Sequence, residues 1–204
     1  MTGTLGDVAF ILSVGELYVG GTPLATANPR SLFESEDGNV TLDVDGTAHI
    51  GLIRAQGDGG TDSASGLTDG VVKIDAEDSI VDRRDDTEAN IIATGAILNA
   101  GVDGGLGDIG TDDNPFETEI SRLEADVIGG GIWLDNVGYM QIGNISSQLG
   151  VRAEETVDIS VAGDLTINEL VEREDSSAAT YVSLDATDDI VVNAGIISNS
   201  ADVT

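Results

Sequence analysis

IWLDNVGYMQIG, residues 132–143, comes back at an offset of 25 residues as VDISVAGDLTIN (157–168) and again as VSLDATDDIVVN (182–193). Each copy has apolar side chains at its first and third positions, a break at Gly or Asp, two more apolar residues spaced two apart, and a closing Gly or Asn. Such alternation sends successive side chains to opposite faces of an extended chain, so each copy predicts two short strands joined by a tight corner. One strand pair cannot bury its own apolar edge. Copies must therefore stack, and a recurrence at this period predicts a solenoid.

Working outward, the same pattern anchors at Ala9, Val40, Val72, Ala96, Ile132, Val157 and Val182, which predicts about seven coils with loop insertions. Third positions form one apolar column of Ile11, Leu42, Ile74, Leu98, Leu134, Ile159 and Leu184. In a parallel coil such columns stack at roughly 4.8 Å per rung. The corner falls on Gly15, Gly46, Gly138 and Gly163, with Asp78 and Asp188 in two coils. A second turn column of Gly20, Gly51, Gly143, Asn168 and Asn193 predicts a left-handed backbone position. Residues 22–37, 56–68 and 101–113 read as surface loops, 82–86 as a charged excursion, 123–127 as a short strand, and 120–123 as the one segment able to form a helical turn.

Composition narrows the function. Thirty-eight acidic residues against eight basic ones give a formal net charge of -30, which excludes a basic face for nucleic acid and disfavours an anionic membrane surface. Aromatics make up 3% of the chain and cysteine is absent, so the interior is expected to be narrow and aliphatic, with neither disulfides nor thiolate metal sites. MTGTLGDVAF lacks a basic stretch and a long apolar run; no signal peptide or membrane insertion is expected from it, and an exported protein would make this chain a fragment.

The stretch GDIGTDDNPFETEISRLEADVIGGGIWLDNVGYMQIG (107–143) resembles large bacterial exoproteins related to filamentous haemagglutinin. The resemblance rests on the Gly-Asp-Ile-Gly-Thr turn at 107–111, Asn114-Pro115-Phe116, the strand at 123–127, the glycines at 129–131 and the strand pair at 132–143. It covers the chain well from Ala89 onward and more loosely before that. What it implies is a right-handed parallel β-helix, secreted or held at a bacterial cell surface, acting in adhesion, aggregation or as a stalk, with no catalytic residues.

The side chains are weighed on the same terms. His49, the single histidine, is placed in an outward column with Tyr18, Gln141, Thr166 and Val191, where no nucleophile or orienting group joins it. Phe10 and Trp133 are outward aromatics of one column. The fourth position of each coil places Asp43, Asp75, Asn99, Asp135, Ser160 and Asp185 outward; of these Asp43, Asp75, Asp135 and Asp185 are the candidate ligands for calcium, with a hydrated acidic ladder as the simpler reading. No catalytic residue and no cofactor is assigned. The chain is read as a single β-solenoid domain, 1–204, a segment of a longer or polymerising rod that associates end to end or meets a glycan or protein receptor. Two alternatives stay open: a carbohydrate-active β-helix enzyme, with residues 82–86 as its nearest candidate, and a calcium-responsive binding module.

Overall fold

The computed structural model describes residues 33–35, 38–55, 57, 70–84, 86–148, 150–174 and 180–199, with the backbone of Thr2–Gly3, Val8–Leu12 and Leu17–Val19. Strands of two to six residues, punctuated by Gly, Asn and Asp, pair with the equivalent strand of the next coil. The pairings are parallel, and the chain winds as an all-β parallel β-helix with one 3-10 turn at Val102–Gly104 among the described residues.

Two sheets run the length of the helix, each through eight rungs. The first face carries long strands in the N-terminal half: Val8–Leu12, Val40–Val44, Val71–Ala76, Gly95–Ala100 and Arg122–Val127. Opposite them lie pairs of three-residue strands, Ala48–Ile50 with Ile53–Ala55, then Ile80–Asp82 with Ile91–Ala93. In the C-terminal half the arrangement is exchanged. Long strands Ile132–Val137, Val157–Ala162 and Val182–Ala186 now form the second face. The short pairs, such as Met140–Ile142 with Val151–Ala153, continue the first.

Arg122–Val127 makes the exchange on one side: Leu123 aligns with Ile142, while Ala125 and Val127 align with Val151 and Ala153. Ile132–Val137 makes it on the other, Ile132 bridging to Ile109 and Leu134 pairing with Phe116. The column expected to run straight from Ala96 to Ile132 is therefore two columns on opposite faces. Ala96 is followed by Leu123, and Ile132 is preceded by Phe116–Ile120.

Other expectations are corrected by the same register. Val8, not Ala9, aligns with Val40, and Phe10 aligns with the buried Leu42, so Phe10 and Trp133 do not share a column. His49 aligns with Tyr18 and Val81; Gln141, Thr166 and Val191 form a separate ladder. The region 22–37 contains a strand, Phe33–Ser35, paired to Ile53–Ala55, and 120–123 joins two strands without a helical turn. Residues 22–32 and most of 56–68 lie outside the described residues.

Among the described residues one hydrophobic cluster fills the interior from Val40 to Val171, with Ile, Val, Leu and Ala stacked rung on rung and Phe116 as its one fully buried aromatic. Each large side chain so buried contributes on the order of 1.5–3 kcal/mol. Ile109, in the Gly-Asp-Ile-Gly turn, is fully buried and carries the short ladder from Ile80 to Ile132. Gly107 beside it has no room for a Cβ, which would sit 2.1 Å from the Asp78 carbonyl oxygen.

Buried asparagines hold the corners. Asn136 accepts from the Ile120 amide at 3.0 Å and the Thr118 hydroxyl at 2.9 Å, and donates to the carbonyls of Ile120 and Gly138. Asn90 donates to the Ile50 carbonyl and accepts from the Glu117 amide, spanning two coils. The turn column behaves differently from expectation: Gly143 is left-handed at φ 97°, but Asn168 and Asn193 are not among the positive-φ residues. Their side chains stack instead, Asn193 Nδ2 donating to Asn168 Oδ1 at 3.0 Å. Because Asn136 serves several buried backbone groups at once, Asn136→Ala is expected to lower the unfolding free energy by about 2–4 kcal/mol and to speed hydrogen exchange at the Ile120 amide, read by denaturation and exchange on the same samples.

Candidate functional site

The strand Phe116–Ile120 turns Phe116, Thr118 and Ile120 inward and places Glu117 and Glu119 on the outer surface of the second face. Glu117 is nevertheless only 8% exposed. The cover comes from the charged excursion that leaves the core at Asp82, itself buried and pinned by Asn90 Nδ2 and the Arg84 amide. Arg84 ties the excursion to itself through the Glu88 carboxylate at 3.2 Å and the Ala89 carbonyl at 3.1 Å. The loop thus holds Thr87 against a groove that begins at Glu117.

That groove has a volume of about 350 Å³. Along its length the register sets Glu117, Asp135, Ser160 and Asp185 on successive rungs. Two residues further along each strand stand Val137, Ala162 and Thr187, which makes one wall largely aliphatic. Glu117 Oε2 is out of contact with solvent and has no hydrogen-bond partner among the described residues. Burial, then the facing carboxylate of Asp82, with smaller contributions from Asp135 and Asp86, push the Glu117 carboxyl up to about 7.

The acidic ladder expected from sequence exists, but as two ladders. Asp43, Asp75, Asn99 and Asp126 align on the first face; Asp135, Ser160 and Asp185 align on the second. Asp75 is already occupied, accepting from Lys73 Nζ at 2.5 Å and Asn99 Nδ2 at 2.7 Å. Asp126 is held by Arg152, whose Nε lies 2.8 Å away, and Arg152 also reaches Glu174 at 3.2 Å. The four calcium candidates are therefore divided between faces. Among the described residues no group of three or more His, Cys, Asp or Glu is placed to hold a metal ion.

Two other carboxylates act on the backbone. Glu124 is fully buried and accepts from the amides of Ile145 and Ser146, while Glu169 accepts from the amides of Asn144 and Gly150. Together they staple the loop between the short strands. Neither was distinguished from the general acidity in the sequence. Trp133 aligns with Asp158 and Asp158 with Ser183, and Asp158 also accepts from the Tyr181 hydroxyl at 2.8 Å.

At the last described rung the core is open. Ile190, Val192 and Ile196 continue the columns of Leu165, Ile167 and Val171, which are fully buried, yet are 44%, 53% and 44% exposed. Comparisons with protein-family models, curated proteins and solved structures found no match to this chain.

Glu117 gives a directional test. A carboxyl raised above its ordinary value of 4.5 contributes stability that is fully present below 4.5 and lost as pH rises through about 7. Glu117→Gln removes the charge and keeps the shape. It is expected to stabilise the protein at pH 8 by up to ~3 kcal/mol and to have no stabilising effect at pH 4, measured by urea unfolding at both pH values.

Proposed function

We propose that this chain is a non-catalytic structural rod of a secreted or surface-attached bacterial adhesin or matrix fibre, extended by the stacking of further coils on its ends. The observation that carries this reading is the open rung: three inward columns arrive at Ile190, Val192 and Ile196 with no layer above them among the described residues. A strand laid in parallel register on Ile190–Val192 and Ile196–Ser198 would bury those side chains and pair their backbone groups. The occupant is a coil of the same kind, from a second copy of the chain or from further repeats of the same polypeptide.

The acidic flanks support the same reading. A net charge of -30 keeps side surfaces apart, whereas the end presents aliphatic groups. The bacterial and extracellular part of the proposal rests on the likeness of residues 107–143 to filamentous haemagglutinin-related exoproteins. A receptor for such a rod would be a host or matrix glycan or protein.

The proposal is tested by solution size. The purified chain is expected to form head-to-tail oligomers whose mass rises with concentration in sedimentation velocity. Val192→Lys, which places an ammonium in the open rung, is expected to shift the population to monomer with the circular dichroism spectrum retained. Concentration-independent monomer for the unaltered chain would count against assembly of copies, leaving only continuation within one polypeptide.

A further inference from the structure

The groove above Glu117 combines features that a solvated acidic surface has no reason to combine. It has carboxylates at one end, in the middle and at the other end, in Glu117, Asp135 and Asp185. Its wall is aliphatic at Val137 and Ala162, with hydroxyls at Thr87, Ser160 and Thr187. At the Glu117 end a buried carboxylate oxygen, Oε2, lacks a donor among the described residues. Adjacent rungs are roughly 5 Å apart, so Glu117 to Asp135 spans one step and Asp135 to Asp185 two.

An ordinary divalent cation fits this poorly, since the carboxylates are strung along the axis and do not converge. A neutral sugar donates hydroxyl hydrogen bonds to carboxylates but leaves their negative charge uncompensated. An ammonium group on a flexible aliphatic chain matches both surfaces: its three N–H donors satisfy carboxylates and hydroxyls, and its methylenes lie on Val137 and Ala162.

We propose that this groove binds an aliphatic ammonium ligand lying along the rod axis, with Glu117 and Asp135 receiving one charged end and Asp185 the other. The shared chemistry could be delivered by a free di- or polyamine or by lysine side chains of an extended peptide. The proposal is independent of end-to-end assembly, because the groove is built within one chain.

Glu117 also sets the pH behaviour. The charged groups that face it are Asp82, from the start of the excursion, Asp86 within it, and Asp135 on the next rung, all acidic. An arriving cation finds Glu117 partly protonated near neutrality and displaces the proton. Affinity should therefore rise about tenfold between pH 6 and pH 8, following the ionised fraction of one carboxyl that titrates near 7.

Isothermal titration with 1,4-diaminobutane and spermidine, with a tetralysine peptide as a second arm, tests this at fixed ionic strength. Saturable one-site binding is expected, with proton release visible as a buffer-dependent heat. Glu117→Gln is expected to weaken it at least tenfold at pH 8 and to remove the pH dependence. Ser160→Lys places a competing ammonium between Asp135 and Asp185 and should abolish binding without touching Glu117. Glu172→Gln on the opposite face should leave it unchanged. Amines tighter than tetralysine point to a free polyamine, and the reverse to a peptide. Equal weakening by E117Q and E172Q, or full displacement by sodium at matched ionic strength, would reduce the effect to diffuse counterion attraction and overturn the proposal. So would binding of an uncharged oligosaccharide in its place.

Discussion

Everything in this molecule depends on parallel register between coils. Once Val40 is aligned with Val72, and Ala96 with Leu123, each inward side chain has a similar one above and below at about 5 Å, and the interior becomes a stack of aliphatic layers. A slip of one residue would turn every inward side chain outward. That constraint explains two of the polar residues that enter the core. Asn90 and Asn136 are buried because each bonds backbone groups of neighbouring coils, which an aliphatic side chain could not do.

The exchange of faces follows from the same rule. The interior asks only that two opposed walls be filled on every rung, so a long strand opposite a short pair is equivalent to a short pair opposite a long strand. The change is confined to one place, where Arg122–Val127 and Ile132–Val137 each meet strands of both kinds. The glycines nearby reflect the crowding this brings. A Cβ on Gly130 would lie 2.2 Å from Asp108 Oδ1, the atom that accepts from the Gly131 amide. A turn tightened in this way leaves no room for a side chain.

How much of this was legible in the sequence can be traced residue by residue. The 25-residue recurrence after Ile132 was legible because both strands of each copy keep their alternation, and Leu134, Ile159 and Leu184 do share a column. The third strand of each coil was missed. Val151–Ala153 and Val171–Arg173 offer only one alternation apiece, too short a signal to separate from a loop. The face exchange was hidden for a different reason: VTLDVDGTAHIG and IWLDNVGYMQIG carry the same local pattern, and pattern alone does not say which wall a strand joins. Glu117 was beyond reach for a third reason. Its strand alternation marks it as outward, and only the loop that leaves at Asp82 and returns at Asn90 covers it.

The contrast between sides and ends then gives the rod a direction of growth. Two such rods side by side bring carboxylate ladders together, a repulsion that salt screens over about 8–10 Å but does not reverse. Rod ends meeting in register bring Ile190, Val192 and Ile196 against another apolar layer, a contact that salt does not weaken. On the proposed reading the acidity therefore has a structural use beyond solubility, because it directs association to the open rung and away from the charged sides. A groove such as the one above Glu117 lies on the repelling side and stays uncovered as the rod lengthens, so whatever it binds would be presented once per chain along the fibre.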